Sequence, residues 1–196
     1  KPVTVIQSGI GAPMTGDCVI ALGYSGCENI FFSGSAGAIN NKLNFGDILI
    51  CSSAVIGEGF SRYHSQDIEK DRFGQIISGS EGLAQVLFQQ SVPIAHSLGV
   101  AVHQGKIFTT DSILGENKKS FGYMIQKGCD AVEMEASSVF TAAKAIKRNA
   151  AALITISDLP LKRRSLFEGT EEEDEKCYKN TACMLPEILL EAAASL

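Results

Sequence analysis

Residues 131–138 read AVEMEASS, and residues 154–158 read ITISD. The first stretch sets two carboxylates, Glu133 and Glu135, around Met134 after an apolar approach. The second is an apolar, strand-like run that ends on one acid, Asp158. An acid at the carboxyl end of a buried strand is where open α/β sheets seat their ligands. A carboxylate among so many apolar neighbours costs free energy unless it has a partner. The same letters admit a plainer reading. Glu133 and Glu135 are then first-turn helix acids that complement the dipole, and Ser157-Asp158 is a cap or turn. Spacing alone does not choose between the two.

Outward from these stretches the chain alternates strand and helix patterns. Residues 2–7 alternate and are β-branched, so they read as a strand. A tight turn over 8–13 follows, in which Gly9 and Gly11 let the backbone approach a neighbour. A helix is expected over 14–22. Residues 29–32 form a short apolar strand that runs into Ser33-Gly34-Ser35-Ala36-Gly37. Small residues there leave room and amide donors for an anion or a sugar. Strands are expected over 46–52, continued by 54–56, and over 100–108. Residues 57–64 read as a polar surface loop, with Glu58 the alternative candidate for a ligand contact. Residues 65–79 read as loop. A helix over 80–92 is expected to break at Pro93, with one more turn to Leu98. A further helix over 116–127 ends at Gly128. After AVEMEASS a helix runs to about Arg148, burying Ala136, Val139, Phe140, Ala143 and Ile146. The last strand covers 151–156, and 159–169 is a loop. The closing helix starts at a capping box of Thr170 and Glu173. Its acid run at 171–175 is a solvated face rather than a metal site.

Bulk composition removes several function classes. The 196 residues fit one domain with a sizeable core, and 45% hydrophobic content is globular. A net charge of −5 argues against a nucleic-acid surface. The short basic cluster at 162–164 reads as a solvated loop. Six cysteines, Cys18, Cys27, Cys51, Cys129, Cys177 and Cys183, show neither C-x-x-C nor zinc spacing. They read as free thiols in a reducing compartment, with Cys18 and Cys51 in the core. The chain shows no secretory leader and no membrane-length apolar run, so the expected location is cytoplasmic. The glycines at 9 and 11 are followed by Met14 where a third glycine would complete G-x-G-x-x-G, which speaks against a dinucleotide site.

SGIGAP at 8–13, GSAGAIN at 34–40, AVEMEASS and ITISD occur in that order. Together they resemble the nucleoside phosphorylase and nucleosidase superfamily. Its relevant branch holds the purine nucleoside phosphorylases, the uridine phosphorylases and the methylthioadenosine/S-adenosylhomocysteine nucleosidases. The resemblance implies a single-domain three-layer αβα sandwich with a mixed central sheet. Family members carry a further strand pair ahead of Val3, so the expectation is one domain over 1–196 that lacks the amino-terminal portion.

The resemblance also implies roles. Asp158, its pKa raised by desolvation, would protonate the departing base, with Ser157 beside it; this Ser-Asp pair points to purines. Glu135 would hold the ribose hydroxyls, Met134 would pack on the sugar, and Glu133 would orient the loop or the sugar. Ser35 would touch phosphate or the attacking water, and Gly37 would lie near the base. Ile113 stands where the family has an aromatic wall for the base. Phosphorylases also carry an arginine three residues before this serine; here it is Phe32, as in the nucleosidases, which have none. The implied reaction is cleavage of a purine nucleoside, by phosphorolysis first, with hydrolysis or a binding protein without turnover as alternatives. No cofactor or metal is implied beyond inorganic phosphate as co-substrate. The partners implied are a small nucleoside and further copies of the chain, in a dimer or hexamer whose neighbours complete each site. Neither a nucleic acid nor a membrane is expected.

Overall fold

The strand that ends on Asp158 is also the one on which the sheet closes. The computed structural model describes residues 2–162, 164–165 and 169–196. In it β1 spans Asn29–Ala38, β2 Ile48–Gly57, β3 Ile76–Ser78, β4 Val102–Thr110, β5 Ala131–Glu133 and β6 Asn149–Asp158. The strand order is β3-β2-β4-β5-β1-β6. β6 runs parallel to β1 from Asn29↔Asn149 to Gly37↔Asp158. It also pairs antiparallel with β2, from Ile48↔Thr155 to Cys51↔Ala152. The mixed sheet therefore curls round and returns to itself.

β6 is apolar from Ala150 to Ile154 because both of its faces are covered there. Ala150, Ala152, Ile154 and Ile156 join a core with α1 (Ala12–Leu22) and α5 (Ala136–Ala145). Ala151 and Leu153, the alternate residues, join a second core with α3 (Glu81–Leu98) and α6 (Glu172–Ala194). The result is three layers, helices on both sides of a mixed sheet, as the resemblance implies. A third cluster sets Phe121 and Met124 of α4 (Lys118–Gln126) against Phe108 and Val132. A one-turn helix, α2, covers Phe60–Tyr63. Phe140 of α5 is 1% exposed, which contributes about 1.5–3 kcal/mol of apolar burial.

Several local readings change. Residues 2–7 are not a strand but an exposed, unpaired segment, with Val5 89% exposed. Alternation makes a strand only where an edge accepts it. Both edges of β1, β4, β5 and β6 are already taken. β1 runs through the small residues to Ala38, and β3 lies within the stretch read as loop. α3 continues past Pro93, which sits on its exposed side where the carbonyl it displaces can meet water. The last helix is capped one residue later than read, by Glu171 and Asp174. Arg164 is not a solvated loop residue: it lies 5.0 Å over the Phe45 ring and pairs with Asp174. Arg163 lies outside the described residues. All six cysteines are free thiols; Cys51 is buried, but Cys18 is only half-buried. No described helix is long and apolar enough to cross a membrane.

Candidate active site

Asp158 closes β6 beside Gly37, and Gly37 in turn pairs with Val132 of β5. Three backbones thus form one row across the sheet. At about 4.8 Å per strand, Asp158 and Val132 stand roughly 10 Å apart, and the chain continues from Val132 into Glu133, Met134 and Glu135. A register shift between Ala36 and Gly37 leaves Ser157 as the extra residue of a bulge. Bulges re-aim side chains at sheet ends. Here the Ser157 hydroxyl donates to Asp158 Oδ1 at 2.9 Å, and Asp158 itself is 6% exposed. A Cβ on Gly37 would stand 3.2 Å and 3.3 Å from the two Asp158 oxygens, so the missing side chain makes room for the carboxylate.

The two glutamates differ in what occupies their oxygens. Glu133 Oε1 accepts from the Thr109 hydroxyl at 2.7 Å, and Oε2 accepts from the Glu135 and Ala136 amides at 2.6 and 2.7 Å. Thr109 in turn accepts from the Ser137 amide at 2.8 Å. Glu133 therefore pins the start of α5, where four amides lack helical partners. Glu135 is half-buried and spends one oxygen: Oε1 accepts from the Gly11 amide at 2.5 Å. Its Oε2 accepts from none of the described residues. Gly11 adopts φ 92°, the left-handed region, which lets the 8–11 turn bring its amide over the site.

Burial pushes the Glu133 carboxyl up to about 8, helped by the charge of Glu135 and opposed by its three donors. The native state then keeps a proton that the unfolded chain releases near 4.5. This contribution to stability is fully present below pH 4.5 and is lost as pH rises towards 8. One proton corresponds to at most about 1.4 kcal/mol per pH unit. Urea melts of Glu133→Gln between pH 5 and 8 are expected to show a shallower decline than the parent; an unchanged slope would refute the assignment.

The remaining residues fall as follows. Ser35 is exposed on β1 and, by strand alternation, shares the side of Gly37. Met134 is half-buried beside Glu135. Ile113 opens a 3-10 turn over Ile113–Gly115, also half-buried. Phe32 turns its ring towards Gly34 and packs on the core. Glu58 is buried, and its oxygens accept from the Ser61 amide and from the Ser61 and Ser137 hydroxyls. Two surface hollows, of about 470 and 300 Å³, lie away from these carboxylates.

Sequence reading marks Gly11 as a point of close backbone approach without its partner Glu135, and it misses two participants. Thr109 holds Glu133, and a threonine is not distinctive at a strand end. Glu116 is the second. Its carboxyl is raised to about 7 by burial and then by the negative charge of Asp158. It precedes an Asn117–Ser120 capping box, so locally it reads only as a helix approach.

A model of the phosphorylase superfamily matches residues 1–194. The chain belongs to the phosphorylase superfamily. Superfamily members are glycosyltransferases or N-glycosyl hydrolases, and this chain is an enzyme of that kind. A DeoD-type purine nucleoside phosphorylase of Colwellia psychrerythraea is 29% identical over 181 residues, 92% of this chain and 72% of its own. The Exiguobacterium sibiricum counterpart is 28% identical over 197 residues, covering 100% and 77%. Among solved structures, the 5'-methylthioadenosine/S-adenosyl homocysteine nucleosidase of Campylobacter jejuni superposes with a TM-score of 0.73 at 22% identity, over 96% of this chain and 79% of that one. Helicobacter pylori futalosine hydrolase gives 0.71 at 19%, over 96% and 77%. These superpositions establish the superfamily fold.

Proposed function

We propose that the chain cleaves the N-glycosidic bond of a purine nucleoside, with phosphate as the first-choice acceptor. The supporting observation is the row that joins Asp158, Gly37 and Val132, with Glu135 just beyond it. Cleavage leaves negative charge on the base and oxocarbenium character on the ribose. Asp158 donates a proton to the base nitrogen as the C1′–N bond breaks. Glu135, one oxygen tied to Gly11, offers the other to the ribose hydroxyls. Met134 packs on the sugar and Ile113 walls the base. Ser157 holds the Asp158 carboxyl, and Glu133 holds the loop that carries Glu135. The acceptor, a phosphate or water oxygen directed by Ser35, attacks C1′ from the opposite face. The substrate is a small nucleoside, and the working state is a homo-oligomer.

The curated relatives favour phosphate. Phe32 favours water, because the residue three before Ser35 is an apolar ring rather than a guanidinium that could hold phosphate through two bonds. Release of free base from inosine, adenosine and methylthioadenosine, assayed with and without phosphate, separates the two. Phosphate-dependent release is expected; equal rates in both buffers would select hydrolysis. Nucleoside binding without release under either condition would refute both.

The spacing around the acid gives a second test. In Gly37→Ala the new Cβ would also lie 3.3 Å from Pro160 Cδ, so the carboxylate must move by a few tenths of an ångström. A misplacement of about 1 Å costs up to about 100-fold in rate, which bounds the effect of this smaller shift from above. Steady-state kinetics should show a kcat drop of about 10–100-fold with the melting temperature nearly unchanged.

A further inference from the structure

At the other end of β6, some ten residues and roughly 30 Å from Asp158, lies the 300 Å³ hollow. It is bordered by Ser80 at the start of α3, by Lys144 at the end of α5, and by Lys147, Arg148 and Asn149 leading into β6. We propose that this hollow is a second site, one that binds a small phosphate-bearing anion.

Three observations support it. First, Lys144, Lys147 and Arg148 bring three positive charges to one hollow in a chain of net charge −5. None of the three is within ion-pair distance of a carboxylate among the described residues. Glu81, the nearest acid along α3, is turned to the Ser52 hydroxyl at 2.6 Å. Second, Arg148 Nε is shut off from solvent and has no hydrogen-bond partner. A buried donor left unmade is destabilising, more so when charged, and the guanidinium is relieved by turning into the hollow to meet an anionic oxygen. Third, Lys147 sits at φ 56°, the only non-glycine residue in the left-handed region among those described. It ends α5 in a turn whose Arg148 amide bonds the Ala143 carbonyl at 2.8 Å. Glycine is the usual choice at that position. A lysine there accepts backbone strain that glycine avoids and borders the hollow.

The carboxyl-terminal dipole of α5 accounts for cations near its last turn. It does not account for the orphaned Arg148 nitrogen, nor for a hollow that also meets the amino-terminal end of the 18-residue α3. Its volume falls at the small end of ligand sites, room for a phosphate and a short organic tail. Guanidinium and ammonium groups are the usual holders of phosphate oxygens.

Calorimetric titration with pyrophosphate tests this on the whole chain. The parent is expected to bind it, with affinity falling as salt rises. Lys147→Gly, whose new residue suits the left-handed turn, should fold at least as well and bind at least tenfold more weakly. Lys144→Gln and Arg148→Gln should each add to the loss, while nucleoside cleavage stays within twofold of the parent. The Ser35 region is untouched by these changes, so binding that survives all three substitutions unchanged would place the anion elsewhere and overturn the proposal. Absence of pyrophosphate binding to the parent would overturn it as well.

Discussion

Asp158→Asn is expected to lower kcat for purine nucleoside cleavage by about 10²–10⁴-fold, the usual worth of a positioned general acid. Asparagine keeps an acceptor for the Ser157 hydroxyl, now at 2.9 Å, and nearly the same volume. The fold and KM should therefore change little. What disappears is the proton delivered to the leaving base. Steady-state kinetics check this. A variant within tenfold of the parent would remove Asp158 from the chemistry.

Glu135→Gln is expected to lower kcat by about 10²–10³-fold, the scale of losing one preorganised group that meets developing charge. Glutamine can still accept from the Gly11 amide, now at 2.5 Å, so the 8–11 turn stays in place. The loss falls on the negative charge facing the ribose. A deoxynucleoside isolates the contact. The parent should discriminate strongly between ribo- and deoxyribonucleoside, and the variant should discriminate less, since the two removals share one interaction. Equal discrimination in both proteins would show that Glu135 does not hold the sugar.

Two carboxylates two residues apart behave differently here, and the difference is tertiary. Glu133 and Glu135 occupy similar letters in AVEMEASS, and both fit a first-turn helix acid. The plainer reading is half right. Glu133 does bind the first amides of α5, although from the strand before it rather than from within the helix. It is the meeting with Thr109, from a strand 24 residues earlier, that saturates it. Glu135 is left with one oxygen unspent because its partner is a turn 124 residues away. Glu116 illustrates the same limit. Nothing near it in sequence marks an acid adjacent to Asp158.

From its letters alone the chain determines an alternation of strands and helices, because β-branched runs and helical periodicities depend only on neighbours along the backbone; the mixed sheet is what the resemblance implies. Those letters also draw attention to Glu133, Glu135 and Asp158, since an acid beside a buried run is costly wherever the run is placed, but they do not assign a role to any of the three. Tertiary structure decides what lies opposite each acid, which edges remain for a strand, and where a solvent-excluded Arg148 nitrogen is stranded. Residues 2–7 show why: their alternation is ideal for a strand, yet pairing is a property of two segments, and every edge of β1, β4, β5 and β6 is occupied. Burial, pairing and charge proximity arise between segments distant in sequence, and so they come into being only with the fold.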